Sequence, residues 1–372
     1  MNKIGVFPRK SAADLLLSNA RTAGDEVDWE YLFLLARRHS IVPLVYVQLE
    51  RHASDVVPND VLSKFKQHYV ENSARNTLLT AELCRLINLF RDAGIDAIAY
   101  KGPALALVAY GDLALRRFID LDVIVKKTDV LKAREILLNE GYTPSKSLSL
   151  SQQELLLRTQ HNLQFSREHH RLIIELHWEV APHLFASTVN GERLWQDLIT
   201  LDLNGTAVKT FSAEDLLFSL CVHGSRHLWE RLGWICDVAE LMKRQPLNWT
   251  ALLERAAISD TERMFLLGVQ LAQRLLDAPV PPEVKQRCYA DQRLMSLADN
   301  IIEHLFNGPT HVPATSREIF KYNIGVRKTL SARARYLLYM FRPTDSDLGS
   351  RSLPPSLSFA YYLTRPFRLF RK

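Results

Sequence analysis

The chain has 372 residues, 47% hydrophobic and 24% charged, an ordinary globular composition with enough apolar side chains to bury a sizeable core. It has no uninterrupted apolar run of about 18 residues, which argues against a transmembrane helix, and residues 1–21 hold only Leu15, Leu16 and Leu17 as an apolar stretch, too short for a signal peptide. Cys84, Cys221, Cys236 and Cys288 are scattered, with no paired-cysteine motif, so neither a disulfide framework nor a zinc site is expected and a reducing cytoplasm fits best.

The net charge of +6 is uneven. Residues 316–372 carry twelve Lys and Arg against three Asp and Glu, and the remainder is slightly acidic. A basic tail points to an anionic partner, or else to a solvated helical end.

In chain order, residues 29–38 and 41–49 place apolar side chains at helical spacing, and a long helical pattern runs over 61–92 and stops at Gly94. A short apolar run at 95–100 ends in Lys101-Gly102-Pro103, and the proline suits the first turn of a helix over 104–110. Residues 118–125, Phe-Ile-Asp-Leu-Asp-Val-Ile-Val, read as a strand. Thr128 is placed to cap a helix that stops at Gly141. Strand patterns follow at 162–166 and 171–178, joined by a turn at Glu168-His169-His170, and a hairpin over 199–210 turns at Asn204-Gly205. From Ser212, whose spacing to Asp215 suits an N-cap, the chain reads as helical to about Phe306, and again over 331–341. Residues 345–355 read as a linker, and 356–372 interleave aromatics with arginine, as an interfacial helix, an RNA-binding tail or a segment packed back on the protein would.

The expected fold class is α+β, a small mixed sheet flanked by N-terminal and C-terminal helical regions. The expected division is 1–92 helical, 93–211 an α/β core, 212–344 helical, and 345–372 linker and tail.

Asp120 and Asp122 fall two apart in a strand pattern, so both carboxylates share one face while Leu121 and Val123 take the other. At ~4 Å and an effective dielectric of ~20 their repulsion costs about 4 kcal/mol, and a divalent cation with a taste for oxygen, such as Mg²⁺, relieves it. Glu175 sits in the apolar run Leu172 to Trp178, where an unpaired charge is costly. A neighbouring strand that brought it beside the aspartates would complete a cradle for two metals. An Asp-x-Asp pair also occurs in metal-binding glycosyltransferases and on solvated edge strands, so its context matters. Gly102 permits close backbone approach at a helix start that attracts phosphate, while Lys101, Arg116 and Arg117 can reach phosphate oxygens. His177, two residues past Glu175, shares its face and is placed to orient a carboxylate, contact substrate or move a proton.

Lys101-Gly102, Tyr110, Arg116, Asp120-Leu121-Asp122, Gly141-Tyr142 and Glu175-Leu176-His177-Trp178, followed by His223, Arg226, His227, Trp229, Leu232, Trp234 and Asp237, resemble the uncharacterised nucleotidyltransferase family of the DNA polymerase beta-like superfamily. The resemblance implies a minimal nucleotidyltransferase fold in which Asp120, Asp122 and Glu175 hold metal. It also implies transfer of a nucleoside monophosphate from a Mg²⁺-bound NTP such as ATP to an acceptor hydroxyl, with release of pyrophosphate. The acceptor can be a small molecule, saccharide, peptide or protein. The superfamily usually carries Gly-Gly or Gly-Ser in the phosphate turn, whereas Pro103 lacks an N–H.

Other residues have quieter readings. His223 and His227 lack the glutamate of a zinc-binding HExxH helix and are expected to pack or face substrate. Arg226 and Asp237 are expected to form a buried pair or line the pocket, and Trp229 and Trp234 to pack. Two alternatives stand beside the enzyme: a non-catalytic nucleotide-binding or regulatory module, motivated by Pro103, and a nucleic-acid binder acting through the tail.

Overall fold

The computed structural model describes residues 11–21, 26–146, 150–167, 172–186, 191–258, 260–308, 310, 312–343, 361, 362 and 365. The first helices among the described residues are α1 (Ala12–Asn19), α2 (Trp29–Arg38) and α3 (Val42–His52). Ser11 and Asp14 cap the first reciprocally, and the Asp28 side chain caps the second. The 34-residue α4 (Asn59–Asp92) follows, about 50 Å long, and Gly94 beyond its end takes φ +71°.

Then comes β1 (Ala97–Ala99), a short helix α5 (Gly102–Leu105) continuing as a π-helical turn Ala106–Tyr110, and β2 (Leu121–Val125). Helix α6 (Val130–Asn139), β3 (Thr143–Pro144), α7 (Leu150–Thr159), β4 (Asn162–Arg167), β5 (Leu172–His177), β6 (Ile199–Leu203) and β7 (Thr206–Thr210) complete the central part. The helices α8 (Ala213–Arg226), α9 (Leu232–Arg244), α10 (Trp249–Ile258), α11 (Glu262–Leu276), α12 (Pro282–Ala290), α13 (Gln292–Leu305), α14 (Ser316–Gly325) and α15 (Leu330–Met340) follow.

The strands form one mixed sheet in the order β3-β4-β5-β2-β1-β7-β6. β2 lies antiparallel to β1 and parallel to β5, while β7 runs parallel to β1. Alternation along the strands divides the interior in two. Leu121, Val123, Val125, Ile174 and Leu176 meet Leu83, Leu86 and Phe90 of α4 and Leu137 of α6 on one side. Ile98, Ile124 and Phe211 join the larger core of N-terminal and C-terminal helices on the other. The α+β architecture is as expected: a seven-stranded mixed sheet flanked by helices.

Several local expectations change. The strand expected over 118–125 begins only at Leu121, where pairing with Ile174 starts, so Asp120 stands just outside the ladder. Thr128 lies within a 3-10 turn, Lys127–Asp129, and α6 has no side-chain cap. The 199–210 hairpin turns as expected at Asn204 and Gly205, both at positive φ. The turn at 168–170 and the linker 345–355 lie outside the described residues, as does most of the tail. Its Tyr361 is buried in the sheet-side core, with its hydroxyl 3.4 Å from the Gln152 amide. No helix among the described residues is long and apolar enough to cross a membrane.

Candidate functional site

The parallel register of β2 and β5 builds the floor of the site. Asp122 pairs with Glu175 and Ile124 with His177, so Asp122, Glu175 and His177 emerge on one face while Leu121 and Val123 anchor the opposite one. The His177 Nε2 donates to Asp122 Oδ1 at 3.1 Å and lies 3.2 Å from Glu175 Oε2. The Lys101 ammonium donates to the same Asp122 oxygen at 3.1 Å, and Asn162 of β4 donates to Glu175 Oε2 at 3.1 Å. Ligand atoms of Asp122, Glu175 and His177 lie within 4.8 Å of one another, a set able to hold a metal ion.

These charges set each other's state. Burial opposes ionisation of Asp122, but Lys101 and the His177 hydrogen bond outweigh it and hold the carboxyl far below its usual range. Burial works against protonation of His177 as well, yet its bonds to Asp122 and Glu175 raise its pKa. The same histidine bond lowers Glu175 despite burial. Asp120 behaves oppositely. Burial first, and the Asp122 charge second, push it up to about 6. Among the described residues its carboxylate has no hydrogen bond or ion pair. An uncompensated carboxylate beside two others is the donor chemistry that fits a hard divalent cation.

The turn carrying Lys101 follows from Gly102, whose φ of +54° brings its Cα close to the Asp120 carbonyl. A Cβ there would lie 3.5 Å from that oxygen. Pro103 sits in the first turn of α5, which has no side-chain cap. The loop entering β2 is tied to α4 by two asparagine amides. Asn76 donates to the carbonyls of Leu113 (2.6 Å) and Arg116 (2.8 Å), and Asn72 to that of Ala114 (3.0 Å). Both asparagines are buried. The loop that delivers Arg116, Arg117 and Asp120 therefore has fixed anchors, since an unpaired buried amide would be costly.

Arg116 lines the cleft, but its Nε and Nη2 form a fork on Asp237 at 2.9 and 3.0 Å. The Tyr110 hydroxyl donates to the same carboxylate at 2.8 Å. Asp237 therefore pairs with Arg116 and not with Arg226, so the expected buried pair does not form, whereas Arg226 lines the cleft, the other expected reading. Arg226 instead donates to His161 Nε2 at 2.7 Å. Burial and the Arg226 charge keep His161 neutral, well below the usual histidine range.

Above this floor opens a cleft of about 1280 Å³. His223, His227 and Trp234 form an aromatic wall, with ring centroids 4.7 to 5.5 Å apart. Burial, then the Arg226 charge, depress His227 to about 3. Trp229 is fully buried in the helical core, a packing residue as expected, whereas Trp234 faces the cleft.

The structure thus lines one cleft with Asp120, Asp122, Glu175, Lys101 and His177, with Gly102 behind the Asp120 carbonyl, while the ligand atoms that converge within 4.8 Å are those of Asp122, Glu175 and His177 and not of Asp120. Arg116 is committed to Asp237, and Arg117 is set at the mouth of the cleft. His161, Asn162, Asn72 and Asn76 were missed in the sequence. Nothing local marks them, because their partners lie 13 to 65 positions away.

A carboxylate pair on two adjacent interior strands of a mixed sheet, facing a cleft rich in basic side chains, is an arrangement suited to handling phosphate. The chain belongs to the family described as uncharacterised nucleotidyltransferase, which it matches over residues 25–277. It is also similar to the crystal structure of an antigenic nucleotidyltransferase-like protein from Paracoccidioides brasiliensis, at 16% identity and a TM-score of 0.32, covering 48% of this chain and 86% of that one. No curated protein matches it.

Proposed function

We propose that the protein is a Mg²⁺-dependent nucleotidyltransferase that moves a nucleoside monophosphate from an NTP, such as ATP, to an acceptor hydroxyl. The acceptor oxygen bonds to the α-phosphorus, and the bond from that phosphorus to the β-bridging oxygen breaks. Pyrophosphate leaves with the electron pair, and the hydroxyl proton passes to the carboxylate cluster. The observation that carries this reading is the in-register Asp122 and Glu175, with the unpartnered Asp120 beside them.

Asp120, Asp122 and Glu175 would hold the metal, two ions on the cradle reading, with His177 orienting the last two carboxylates. When bound, Mg²⁺ would acidify the acceptor hydroxyl and offset phosphate charge. Lys101 keeps Asp122 ionised, and the Gly102 turn lets backbone approach phosphate. A volume near 1280 Å³ exceeds the roughly 300–1,000 Å³ of a single ligand pocket, leaving room for donor and acceptor together.

A second reading, a nucleotide-binding module without turnover, is favoured by Pro103 and by Lys101 and His177 already balancing Asp122. ATP labelled at the α or the γ position, incubated with protein, Mg²⁺ and cell extract, decides between them. Transfer of α-label that drops at least about 10³-fold in Asp122→Asn is expected, a loss of about 4 kcal/mol of transition-state stabilisation. Transfer of γ-label would make the protein a kinase, and binding without any transfer would favour the module.

A further inference from the structure

The mouth of the cleft carries a second charge arrangement that the carboxylate floor does not use. Arg37 comes from α2, Arg75 from α4, Arg117 from the loop before β2 and Arg231 from the residue preceding α9, and all four line the cleft. Arg37, Arg117 and Arg231 are exposed, and among the described residues none of the three is paired with a carboxylate. The Arg37 guanidinium lies 5.9 Å from the Phe33 ring centroid and that of Arg231 5.6 Å from the Trp234 centroid. The nearby acids are engaged elsewhere: Glu71 accepts from Gln67 at 2.9 Å and faces His68, and Glu230 acts on Arg38. Partial burial, and then the charges of Arg231, Arg75 and Arg37, lower Arg117 from its usual value.

A guanidinium keeps its proton at any physiological pH. Arg37, Arg117 and Arg231, drawn together from separate elements, cannot relieve their repulsion by titrating, as Asp120 can. Only a counter-anion does so, and planar forks match the oxygens of a phosphate. The cluster is also built in place, because the Asn72 and Asn76 amides fix the loop that presents Arg117. The cations that act most strongly on Asp120 and Asp122 are Lys101, His177 and Arg116, not these outer arginines. The donor's phosphates must reach those carboxylates, which leaves the outer arginines for another anion.

We propose that Arg37, Arg117 and Arg231 form a phosphate subsite for the second substrate, so that the acceptor of nucleotidyl transfer is itself a phosphorylated compound. The inference rests on the nucleotidyltransferase reading only in giving the phosphate to an acceptor; anion binding is measured without turnover.

The test is titration of the full chain with inorganic phosphate in EDTA, followed by ³¹P line broadening. Binding is expected in the wild type, no weaker in Asp122→Asn, and at least tenfold weaker in Arg37→Gln/Arg117→Gln. The double variant should melt at the wild-type temperature or above, since repulsion is removed; Arg117→Lys, which keeps charge but loses the fork, should bind severalfold more weakly. No binding to wild type, or equal binding by the double variant, overturns the subsite. In a parallel titration without EDTA, a saturating Mg²⁺ complex of α,β-methylene ATP should leave phosphate affinity within about threefold. Competitive exclusion would instead assign the arginines to the donor and overturn the acceptor. Phosphate binding that persists while α-label transfer fails would leave the subsite standing and remove the enzymatic reading alone.

Discussion

Two acid–base clusters share the wall of one cleft and reach opposite states. Around Asp237 the account is closed: Arg116 grips both carboxylate oxygens and Tyr110 supplies another donor, with the Arg116 and Asp237 side chains only 12% and 4% exposed. Around Asp122 it stays open, because Lys101 and His177 face three carboxylates and leave Asp120 with no partner. A buried cluster with matched charges holds the fold together. One with surplus charge of a single sign is held ready for a ligand. Arg116 and Asp120 are only four residues apart, so the difference comes from the partners that the fold delivers and not from local composition.

The largest expected effect breaks the closed cluster. Asp237→Ala leaves the Arg116 guanidinium buried without its anion and removes the acceptor of the Tyr110 hydroxyl. Breaking a buried pair from one side costs about 3–5 kcal/mol, to be read from urea unfolding. Asp237→Asn, which keeps a hydrogen-bond acceptor, should cost less. A loss below about 1 kcal/mol for the alanine variant would show that the cluster does not hold the helical half to the sheet.

The open cluster should respond with the opposite sign. The carboxyl of Asp120 is raised to about 6 from 3.8, so its proton is favoured by folding. The stability it contributes is complete below about pH 4 and is lost as pH rises through 6. Asp120→Asn should therefore stabilise the metal-free protein at pH 7.5, by about 3 kcal/mol, change it little at pH 4, and abolish transfer. Asp122, held low by Lys101 and His177, contributes stability that is present at neutral pH and lost only in strong acid, so Asp122→Asn should destabilise at pH 7.5. Thermal melts of both variants in EDTA at the two pH values check the signs. An Asp120→Asn variant that melts lower than wild type at pH 7.5 would refute the surplus-charge picture.

Much of this floor was legible in the sequence. Period-two spacing put Asp122 opposite Leu121 and Val123, and the charge of Glu175 within an apolar strand marked it as needing partners. His177 was marked by its place two residues further on. Helix ends at Gly94 and the hairpin at Asn204-Gly205 were legible because local backbone chemistry decides them. The rest depends on contacts between distant positions. Nothing around Arg116 reveals that its partner is Asp237, 121 residues away, or that Asn72 and Asn76 anchor the loop before β2. Arg37, Arg75 and Arg231 look like surface charges until α2, α4 and the start of α9 bring them beside Arg117. The start of β2 at Leu121 was hidden for the same reason: strand ends follow from the pairing partner, here Ile174, and not from the apolar pattern alone.

The smallest expected effect separates backbone geometry from site geometry. Gly94 and Gly102 both hold positive φ, +71° and +54°, where an alanine costs about 1–2 kcal/mol. At Gly94 no atom lies within 4 Å of an added Cβ, whereas at Gly102 the Asp120 carbonyl oxygen lies at 3.5 Å, an ordinary contact and not a clash. Gly94→Ala and Gly102→Ala should thus lose similar stability in thermal unfolding. Only the second alters the turn that presents Lys101 to Asp122, so only it should raise the KM for Mg²⁺-ATP, by severalfold. Equal KM values for the two variants would remove the Gly102 turn from the nucleotide site and leave the carboxylate floor to bind the donor through metal alone.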